Sequence, residues 1–309
     1  MKIIFAGTPE FALPTLEELF KSGHEISLVI TQRDRPKGRG KKLQYTPVKE
    51  KALQLGLEVY QPDNINSDES IEKLKMINPD FLIVVAFGQI LKKKVLDIPK
   101  IDALNVHASL LPKYRGAAPI NWAILNGEEE TGVTIMKIDE GLDTGDIISS
   151  VSTPIDDADD AITVHDRLSR LGGELIVSTL VDIVNNRAKY TPQKNEISTY
   201  APMLYKDNGR IDWNKPSKDI FNQVRGLKPW PSAFTYYEDK QIKIHKIKLT
   251  DEISNGEPGK IVDVSNSSVF INSADKIIVV EELQFPNKRP MKVSEYLAGN
   301  SIVKGTILK

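Results

Sequence analysis

Hydrophobic positions in the first 190 residues fall into two patterns that alternate along the chain. Short runs such as Lys2–Ala6 and Phe81–Ala86 are apolar at nearly every position, which is typical of strands buried on both faces of a parallel sheet. The segments between these runs repeat apolar residues every three or four positions, which indicates amphipathic helices. This alternation predicts an α/β domain with a doubly wound, mostly parallel sheet.

The same pattern predicts the individual elements. The predicted strands are Lys2–Ala6, Ile26–Thr31, a short strand at Val59, Phe81–Ala86, Ala103–Ala108 and Val133–Ile138. The predicted helices are Phe11–Phe20, Val48–Leu55, Asp68–Ile77, Pro119–Asn126 and Thr163–Asn185. At the start of the first helix, Thr8 is predicted to be the N-cap residue and Pro9 the first helical residue.

The pattern changes after Tyr190. Thr191–Tyr205 has two prolines and little periodicity, as expected of a linker between domains. The short strand-like runs beyond Arg210 predict a small, OB-like β-barrel. These runs are Ala233–Tyr237, Gln241–Leu249, Gly259–Val264, Val269–Asn272 and Lys276–Leu283. The expected division is therefore a first domain over residues 1–189, a linker over residues 190–206 and a second domain over residues 207–309.

Composition narrows the class of protein. The chain has 309 residues, of which 40% are hydrophobic and 27% charged, with a formal net charge of −1 and no cysteine. The lack of cysteine in the sequence excludes disulfides, thiolate catalysis and cysteine-ligated zinc. No apolar run approaches the roughly 20 residues that span a bilayer, and a first strand beginning at Lys2 leaves no room for a signal peptide. We therefore expect a cytoplasmic protein with no membrane partner.

Positive charge is concentrated between Arg33 and Lys51. The eight basic residues of this basic segment are Arg33, Arg35, Lys37, Arg39, Lys41, Lys42, Lys49 and Lys51. Two acidic residues oppose them, and Gly38 and Gly40 interrupt the run. A compact basic segment that follows a strand favours an anionic ligand or an RNA backbone, although a solvated surface loop would have the same composition.

Chemically distinctive side chains occur where the strand Ala103–Ala108 ends. The two-residue period of a strand puts Asn105, His107 and Ser109 on one face, at the edge where parallel strands meet ligands. About thirty residues later, the acidic loop Asp139–Asp146 can supply a carboxylate partner for the histidine. An amide, an imidazole and a carboxylate together can polarise a carbonyl and move a proton, as acyl transfer requires. The alternative is a hydrogen-bonded structural histidine.

The glycine motifs of nucleotide-binding folds are absent from the sequence. Gly7-Thr8-Pro9 follows the first strand, where dinucleotide-binding proteins have G-x-G-x-x-G, and there is no P-loop pattern. We therefore expect neither a dinucleotide nor a nucleoside triphosphate as an obligate ligand.

Several longer motifs match a known family. The matching segments are Phe5–Pro9, Asp34–Lys42, Asn105–Pro112, Tyr114–Ile120, Thr131–Met136, Gly141–Asp146, Gly209–Trp213 and Pro229–Pro231. Over nearly its whole length the chain resembles the methionyl-tRNA formyltransferases. The Asn-x-His motif with a downstream aspartate is shared by the wider group of enzymes that use formyltetrahydrofolate, whereas the basic segment and the β-rich second half are typical of the tRNA enzyme.

The resemblance implies a Rossmann-like formyltransferase domain that transfers a formyl group from 10-formyltetrahydrofolate to the amino group of initiator methionyl-tRNA. Asn105 would donate a hydrogen bond to the tetrahedral oxyanion, and His107 would donate a second hydrogen bond or a proton. Asp143 would orient His107 and help to relay the amine proton through water. No covalent acyl-enzyme is required, because the formyl donor is already activated. No metal is expected either.

The resemblance also implies binding residues for both substrates. The residues expected to bind the folate are Phe87, Gly88, Gln89, Ile90, Ser109, Leu110, Leu111, Pro112, Asp139 and Gly141. The residues expected to bind tRNA are Arg33, Arg35, Lys37, Arg39, Lys41, Lys42 and Lys206, with Arg39 entering the acceptor helix. Initiator methionyl-tRNA is the expected partner, and no obligate protein partner is expected.

Three alternatives compete with this interpretation. A hydrolase built on Ser109, His107 and Asp143 is disfavoured because the sequence has no G-x-S-x-G turn to present a nucleophile. The same chemistry could act on a nucleotide-sugar amine, a purine precursor or water, but a small acceptor needs neither the basic segment nor the second domain. A non-catalytic RNA-binding protein is disfavoured because Asn105, His107 and Asp143 occur together.

Overall fold

The computed structural model describes residues 1–37 and 42–309. In it the chain forms two compact units. The first comprises Met1–Pro119, Glu130–Pro154 and His165–Ala201, and the second comprises Ile120–Glu129, Ile155–Val164 and Pro202–Lys309. The second unit thus contains two short segments from earlier in the chain in addition to the C-terminal region.

Strands and helices alternate up to Ala201. The strands are β1 (Lys2–Gly7), β2 (Glu25–Ile30), β3 (Arg35–Lys37), β4 (Lys42–Gln44), β5 (Val59–Tyr60), β6 (Phe81–Val85), β7 (Asp102–His107), β8 (Arg115–Gly116), β9 (Glu130–Lys137), β10 (Ile147–Pro154) and β11 (Tyr200–Ala201). The helices are α1 (Leu13–Lys21), α2 (Pro47–Gln54), α3 (Asp68–Ile77), α4 (Lys93–Leu96), α5 (Pro119–Leu125) and α6 (Ala161–Val184). Every element predicted in this region is present, with its ends within a few residues of the predicted ones.

The main sheet has the strand order β10–β9–β7–β6–β1–β2–β5. The strands from β7 to β5 are parallel to their neighbours, whereas β9 runs antiparallel to both β7 and β10. The predicted α/β fold with a mostly parallel sheet is therefore confirmed. The sequence pattern does not predict β10, because four of its eight residues are serine or threonine, as suits a strand with one polar face.

The central strands are buried on both faces. All residues of β6 are buried, as are Ile3–Gly7 of β1. On one side of the sheet, Leu28, Leu74 and Phe87 belong to a continuous hydrophobic cluster. Because side chains cover both faces, the strand ends are the places where polar groups and ligands can meet the sheet.

The start of the first helix differs from the prediction that Thr8 is its N-cap. A 3₁₀ turn over Glu10–Ala12 comes first, and α1 follows with Pro14 in its first turn. The hydroxyl of Thr8 instead donates a hydrogen bond of 2.8 Å to the carbonyl of Phe87. That prediction is wrong because the Thr8 hydroxyl bonds to the carbonyl of Phe87, which is distant in sequence, and not to a backbone N–H at the start of α1.

Beyond Ala201 the second unit has an antiparallel sheet. Its elements are α7 (Ser217–Gly226), β12 (Phe234–Tyr237), β13 (Lys240–Ile253), β14 (Ile261–Val264), β15 (Val269–Asn272), β16 (Lys276–Gln284), β17 (Met291–Lys292) and α8 (Val293–Leu297). The strand order is β12–β13–β16–β15–β14, with β17 paired to β16. The five predicted strands are present, while the sequence pattern does not predict α7, α8 and β17. Trp213 and Ile220 lie in the core of this unit.

None of the helices in the described ranges, 1–37 and 42–309, has both the length and the apolar character needed to cross a membrane.

Asp80 joins the start of β1 to the residues that precede β6. Its Oδ2 accepts a hydrogen bond of 2.8 Å from the backbone N–H of Lys2, and its Oδ1 lies 3.1 Å from Nζ of Lys100. The hydrogen bond from Lys2, opposed by burial and assisted by Lys100, lowers the pKa of Asp80 from its ordinary value of 3.8.

We expect Asp80→Asn to lower the free energy of unfolding by about 1 kcal/mol at pH 7, because the amide loses the negative charge. A lowered carboxyl pKa stabilises the folded state only while the group is ionised. The advantage of the unsubstituted chain is therefore present above pH 3.8 and disappears as the pH falls below it. Urea denaturation of both proteins from pH 7 to pH 3 measures this difference. A difference that does not change over this range contradicts the assignment.

Candidate active site

Asn105 and His107 project from β7, which lies between β6 and β9 in the main sheet. The strand period places both side chains on one face, and Asn105 pairs in register with Val84 and Met136 of the neighbouring strands. Only 7% of the His107 side chain is exposed. A buried imidazole needs hydrogen-bond partners, and its partners define the site.

Asp143 reaches both residues from the loop between β9 and β10. Its Oδ1 lies 3.4 Å from Nδ2 of Asn105 and 3.7 Å from Nδ1 of His107. Its Oδ2 accepts a hydrogen bond of 2.8 Å from the backbone N–H of Gly116. Asp143 has a φ of 53°, in the left-handed region, where a residue with a side chain persists only if its surroundings hold it. The structure thus brings together the three residues predicted to be catalytic.

The backbone of Tyr114 orients His107. Nε2 of His107 lies 2.9 Å from the carbonyl oxygen of Tyr114. Because a carbonyl can only accept, Nε2 carries the hydrogen of this bond. Nδ1 then faces the carboxylate of Asp143 at 3.7 Å, which is longer than a hydrogen bond. Tyr114 therefore supplies an orienting contact in addition to that of Asp143, and Tyr114 is itself left-handed, with a φ of 60°.

Ser109 takes part in the turn after β7. It is fully buried, and its hydroxyl donates a hydrogen bond of 2.7 Å to the carbonyl of Lys113. The two ring nitrogens of His107 face other groups, as described above. The Ser-His-Asp arrangement of a hydrolase is therefore not formed.

Thr134 of β9 holds the same turn from the neighbouring strand. Its hydroxyl donates to the carbonyl of Ser109 at 2.7 Å and accepts from the N–H of Leu111 at 3.1 Å. Thr134 is fully buried. One hydroxyl thus satisfies two backbone groups that would otherwise be buried without partners.

Two of the three segments expected to bind the folate leave the main sheet at one edge. Phe87–Ile90 follows β6 and Ser109–Pro112 follows β7, and these two strands are parallel and adjacent. Their carboxyl ends therefore lie side by side, which is where ligands bind in sheets of this kind.

The four residues after β6 differ in what they can offer a ligand. The Phe87 ring is buried in the core, and the side chain of Gln89 is hydrogen bonded to the backbone of residues 62–65. Gly88 is exposed with a φ of 89°, and 82% of Ile90 is exposed. The segment can therefore contact a ligand through its backbone and through the side chain of Ile90. The ring of Phe87 belongs to the hydrophobic core and is not accessible to a ligand.

The remaining residues expected to bind folate show a similar mixture. Leu111 is buried, whereas Leu110 and Pro112 are partly exposed. In the loop after β9, Asp139 and Gly141 are exposed, and the carboxylate of Asp139 accepts a hydrogen bond of 3.1 Å from the N–H of Gly141. The polar contacts of Asp139 thus stay within its own loop.

The basic segment contains an antiparallel hairpin. Arg35 is in β3, which pairs residue by residue with β4, so that Lys37 lies opposite Lys42. Arg39 and Lys41, which are also expected to bind tRNA, lie outside the described residues. The sequence pattern predicts a loop here, because two three-residue strands are too short to show a period.

Two further residues expected to bind tRNA, Arg33 and Lys206, lie outside these two strands. Arg33 forms an ion pair of 2.5 Å with Asp63, and both side chains are mostly exposed. Such a pair contributes little to stability, so the guanidinium can exchange its partner for a phosphate at small cost. Lys206 belongs to the second unit and is exposed.

A buried carboxylate fixes the segment that follows α6 to the main sheet. Asp102 accepts a hydrogen bond from the hydroxyl of Tyr190, and Nζ of Lys137 lies 2.7 Å from its other oxygen. Burial and this hydrogen bond to Asp102 raise the pKa of Tyr190 above its ordinary value. Next to it, Thr191 pairs with Ile147 at the start of β10. The chain therefore follows the first unit well beyond α6.

Several residues of this site are not found by sequence reasoning. Tyr114 and Gly116 act through a backbone carbonyl and a backbone N–H. Every residue other than proline has both groups, so the residue type does not indicate such a role. Thr134 acts through a hydroxyl inside an apolar strand, where the period indicates a buried position but not a contact. Gln193, whose Nε2 donates to the carbonyl of Asp143 at 2.9 Å, lies in the irregular stretch expected to be a linker. A polar side chain between two prolines is too weak a signal to assign such a role.

Comparisons with known proteins define the class to which this site belongs. The profile of the family described as "Formyl transferase" matches residues 1–180, and the profile described as "Formyl transferase, C-terminal domain" matches residues 203–301. The chain is thus a formyl transferase, with the two domains of that family.

Full-length relatives are more specific. The chain is 48% identical over 308 residues to the methionyl-tRNA formyltransferase of Clostridioides difficile (strain 630). It is 50% identical over 310 residues to that of Clostridium tetani (strain Massachusetts / E88). Both alignments cover 100% of this chain and 100% of the relative. The chain belongs to the methionyl-tRNA formyltransferase family.

Solved structures show the same architecture. An N-formyltransferase from Helicobacter canadensis, in complex with folinic acid and dTDP-3-aminofucose, has a TM-score of 0.68 and 26% identity, covering 91% of this chain and 98% of that one. HypX from Aquifex aeolicus, in complex with tetrahydrofolic acid, has a TM-score of 0.65 and 18% identity. It covers 99% of this chain and 50% of that one, and at this identity the similarity shows the fold alone.

We expect Thr134→Val to lower the free energy of unfolding by about 2 kcal/mol, because the isosteric valine leaves the carbonyl of Ser109 and the N–H of Leu111 buried without a partner. Urea denaturation measures this loss. Thr131→Val is the matched control, since Thr131 is buried on the same strand and its hydroxyl has no hydrogen bond with any described residue. Equal effects of the two substitutions would show that the two hydrogen bonds contribute nothing.

Proposed function

We propose that this chain transfers a formyl group from 10-formyltetrahydrofolate to the free amino group of initiator methionyl-tRNA, producing formylmethionyl-tRNA for translation initiation. The observation that carries the proposal is the convergence of Asn105, His107 and Asp143 in a chain of this family. The carboxylate of Asp143 lies 3.4 Å from the amide of Asn105 and 3.7 Å from the imidazole of His107, which suits the reaction of an amine with a formyl carbon.

The reaction exchanges one carbon–nitrogen bond for another. The amine nitrogen of the methionyl group attacks the formyl carbon, and the carbonyl oxygen becomes an oxyanion. The bond between that carbon and N10 of the folate then breaks, and N10 takes up a proton in place of the one that the amine loses. The products are formylmethionyl-tRNA and tetrahydrofolate, with no change of oxidation state.

Each of the three residues has a proposed role in this sequence. The amide of Asn105 donates a hydrogen bond to the oxyanion. Because the Nε2 hydrogen of His107 is donated to the carbonyl of Tyr114, the ring acts through Nδ1, which moves a proton or, once protonated, donates to the same oxygen. Asp143, which faces Nδ1, helps to relay the proton between the two nitrogens. The 2.9 Å hydrogen bond from His107 to the carbonyl of Tyr114 supports this assignment because it keeps the ring in one orientation.

The folate donor is supported by the structural neighbour at 26% identity, which was solved with folinic acid. We propose that the donor binds along the edge of the sheet formed by Phe87–Ile90 and Ser109–Pro112, with Asp139 and Gly141 from the loop after β9. Exposed backbone at Gly88 and the side chain of Ile90 suit the polar edge and the flat face of a pterin ring.

The acceptor is proposed to be tRNA because the full-length relatives at 48–50% identity have that name, whereas the sugar enzyme is only 26% identical. We propose that RNA is contacted by Lys206 and by six cations of the basic segment, with Arg39 in the acceptor helix. The six are Arg33, Arg35, Lys37, Arg39, Lys41 and Lys42. The proposed division remains a catalytic domain (1–189), a linker (190–206) and an OB-like tRNA-binding barrel (207–309), with the linker packed on the first unit as far as Ala201. The family matches over residues 1–180 and 203–301 support it.

A formyl-transfer assay with three acceptors tests the function. We expect the protein to formylate charged initiator tRNA, with little activity on charged elongator tRNA or free methionine. Asn105→Ala, His107→Ala and Asp143→Ala should each lower turnover by about a hundredfold or more, the scale of a lost oxyanion or proton-transfer group. Folate binding, measured by calorimetry, should change less than turnover.

Two results would contradict the proposal. Formylation of a nucleotide-sugar amine in preference to charged tRNA would assign a different acceptor. A near-normal rate for a correctly folded His107→Ala protein would remove this residue from the mechanism. Ser178→Ala is the matched control, because its hydroxyl donates to the carbonyl of Leu175 within α6, and its turnover should stay close to that of the unsubstituted chain.

We expect Arg39→Leu to raise the KM for tRNA or to lower turnover roughly tenfold, the usual loss for a cation that contacts nucleic acid. The affinity for the folate should stay unchanged, because the substitution is in the basic segment. Steady-state kinetics with each substrate varied separately measure both effects. The control is Lys51→Ala, whose amine pairs with Glu17 at 2.6 Å. Unchanged tRNA kinetics for Arg39→Leu would indicate a surface segment with no role in binding.

A further inference from the structure

Hydrogen bonds hold both the side chain and the main chain of Asp143. Its carboxylate accepts from the N–H of Gly116 at 2.8 Å. On its main-chain side, the carbonyls of Asp143 and Gly145 accept hydrogen bonds of 2.9 Å and 2.7 Å from the same atom, Nε2 of Gln193. A primary amide has two N–H groups, so Gln193 uses both donors on this one loop.

The oxygen of the Gln193 amide is also engaged. Its Oε1 accepts from Nε and Nη2 of Arg115 at 3.1 Å and 2.9 Å, and Nη2 also donates to Oδ1 of Asn195 at 2.9 Å. The guanidinium therefore fixes the side-chain amide of Gln193 with its nitrogen toward the loop, since reversing it would turn donors toward a cation.

These contacts form a closed ring. From the carboxylate of Asp143 it passes to Gly116, along the chain to Arg115, through the guanidinium to Gln193, and back to the carbonyl of Asp143. A ring of this kind determines both the position of the residue and the direction of its side chain. It can therefore stabilise the left-handed backbone of Asp143.

The stretch that carries Gln193 is itself attached to the first unit on both sides. Before it, Thr191 exchanges two backbone hydrogen bonds with Ile147, of 2.8 Å and 2.9 Å. After it, the carbonyl of Thr199 accepts from the N–H of Arg115 at 2.9 Å, and β11 pairs with β8. Gln193 thus acts from a fixed support.

We infer that Gln193, oriented by Arg115, is the positioning residue that holds Asp143 in its reactive geometry. This inference rests on the proposed function, because it assigns a role toward the same reaction. Gln193 touches no reacting atom and acts through the loop that carries the carboxylate. A displacement of about 1 Å in such a group is enough to lower turnover strongly.

Two substitutions separate positioning from simple support. Gln193→Met keeps the length of the side chain without its polar atoms. Gln193→Glu keeps acceptors for Arg115, and so the attachment of this stretch, but removes both donors to the loop. We expect both to lower kcat roughly tenfold or more with little change in either KM, which is the signature of a group effective in the transition state.

The double variant Gln193→Met with Asp143→Ala is the second measurement. A positioning residue acts only through its target, so adding Gln193→Met to Asp143→Ala should cause no further loss of kcat. Hydrogen exchange gives a readout independent of activity. Without substrates, the amides of residues 139–146 should exchange faster in Gln193→Met than in the unsubstituted chain, whereas those of β1 should not change.

The control is Ser198→Ala, which removes a hydrogen bond of 2.7 Å to the carbonyl of Asn195 within the same stretch. It should leave kcat and the exchange of residues 139–146 unchanged. Normal kcat for Gln193→Glu, or an equal loss in the Asp143→Ala background, would overturn the inference. If the unsubstituted chain does not formylate charged tRNA, the proposed function fails, and the exchange experiment still decides whether Gln193 holds the loop.

Discussion

Two backbone groups, the carbonyl of Tyr114 and the N–H of Gly116, hold the imidazole of His107 and the carboxylate of Asp143. They lie two residues apart in a segment that is only partly regular. Its shape depends in turn on β11, because a Cβ atom at Gly116 would lie 2.6 Å from the ring of Tyr200. The geometry of the site therefore depends on a close approach between two short strands, β8 and β11.

The large elements of the fold could be predicted because they follow from burial. A strand such as β6 is covered on both faces, so nearly every residue is apolar and the run is visible in the sequence. β10 could not be predicted because its exposed face is polar. α7 could not be predicted because it has only ten residues and lies in a region of strand-like runs. The prediction that Thr8 caps the first helix is wrong for a related reason. Local patterns do not indicate when a distant carbonyl competes for a hydroxyl.

In the site, too, the residues that a local pattern brings together could be predicted, whereas contacts between residues far apart in sequence could not. Asn105 and His107 could be found together because a strand places alternate residues on one face. Asp143 could be named because its loop matches a family motif, but its distances to the other two depend on contacts far away in sequence. Gln193 lies 50 residues from Asp143. Such a contact follows only from the complete fold, since no spacing rule connects the two positions.

The left-handed backbone at Asp143 and Tyr114 has different consequences for the two residues. At Tyr114 the site uses a main-chain carbonyl, which any residue supplies, so the buried side chain can serve packing instead. At Asp143 the site needs the carboxylate of the side chain. Glycine would relax the left-handed backbone there, but it has no carboxylate. Selection for stability and selection for activity thus oppose each other at residue 143 and agree at residue 114. Stabilising substitutions sought by screening for thermal resistance alone would favour losing the carboxylate.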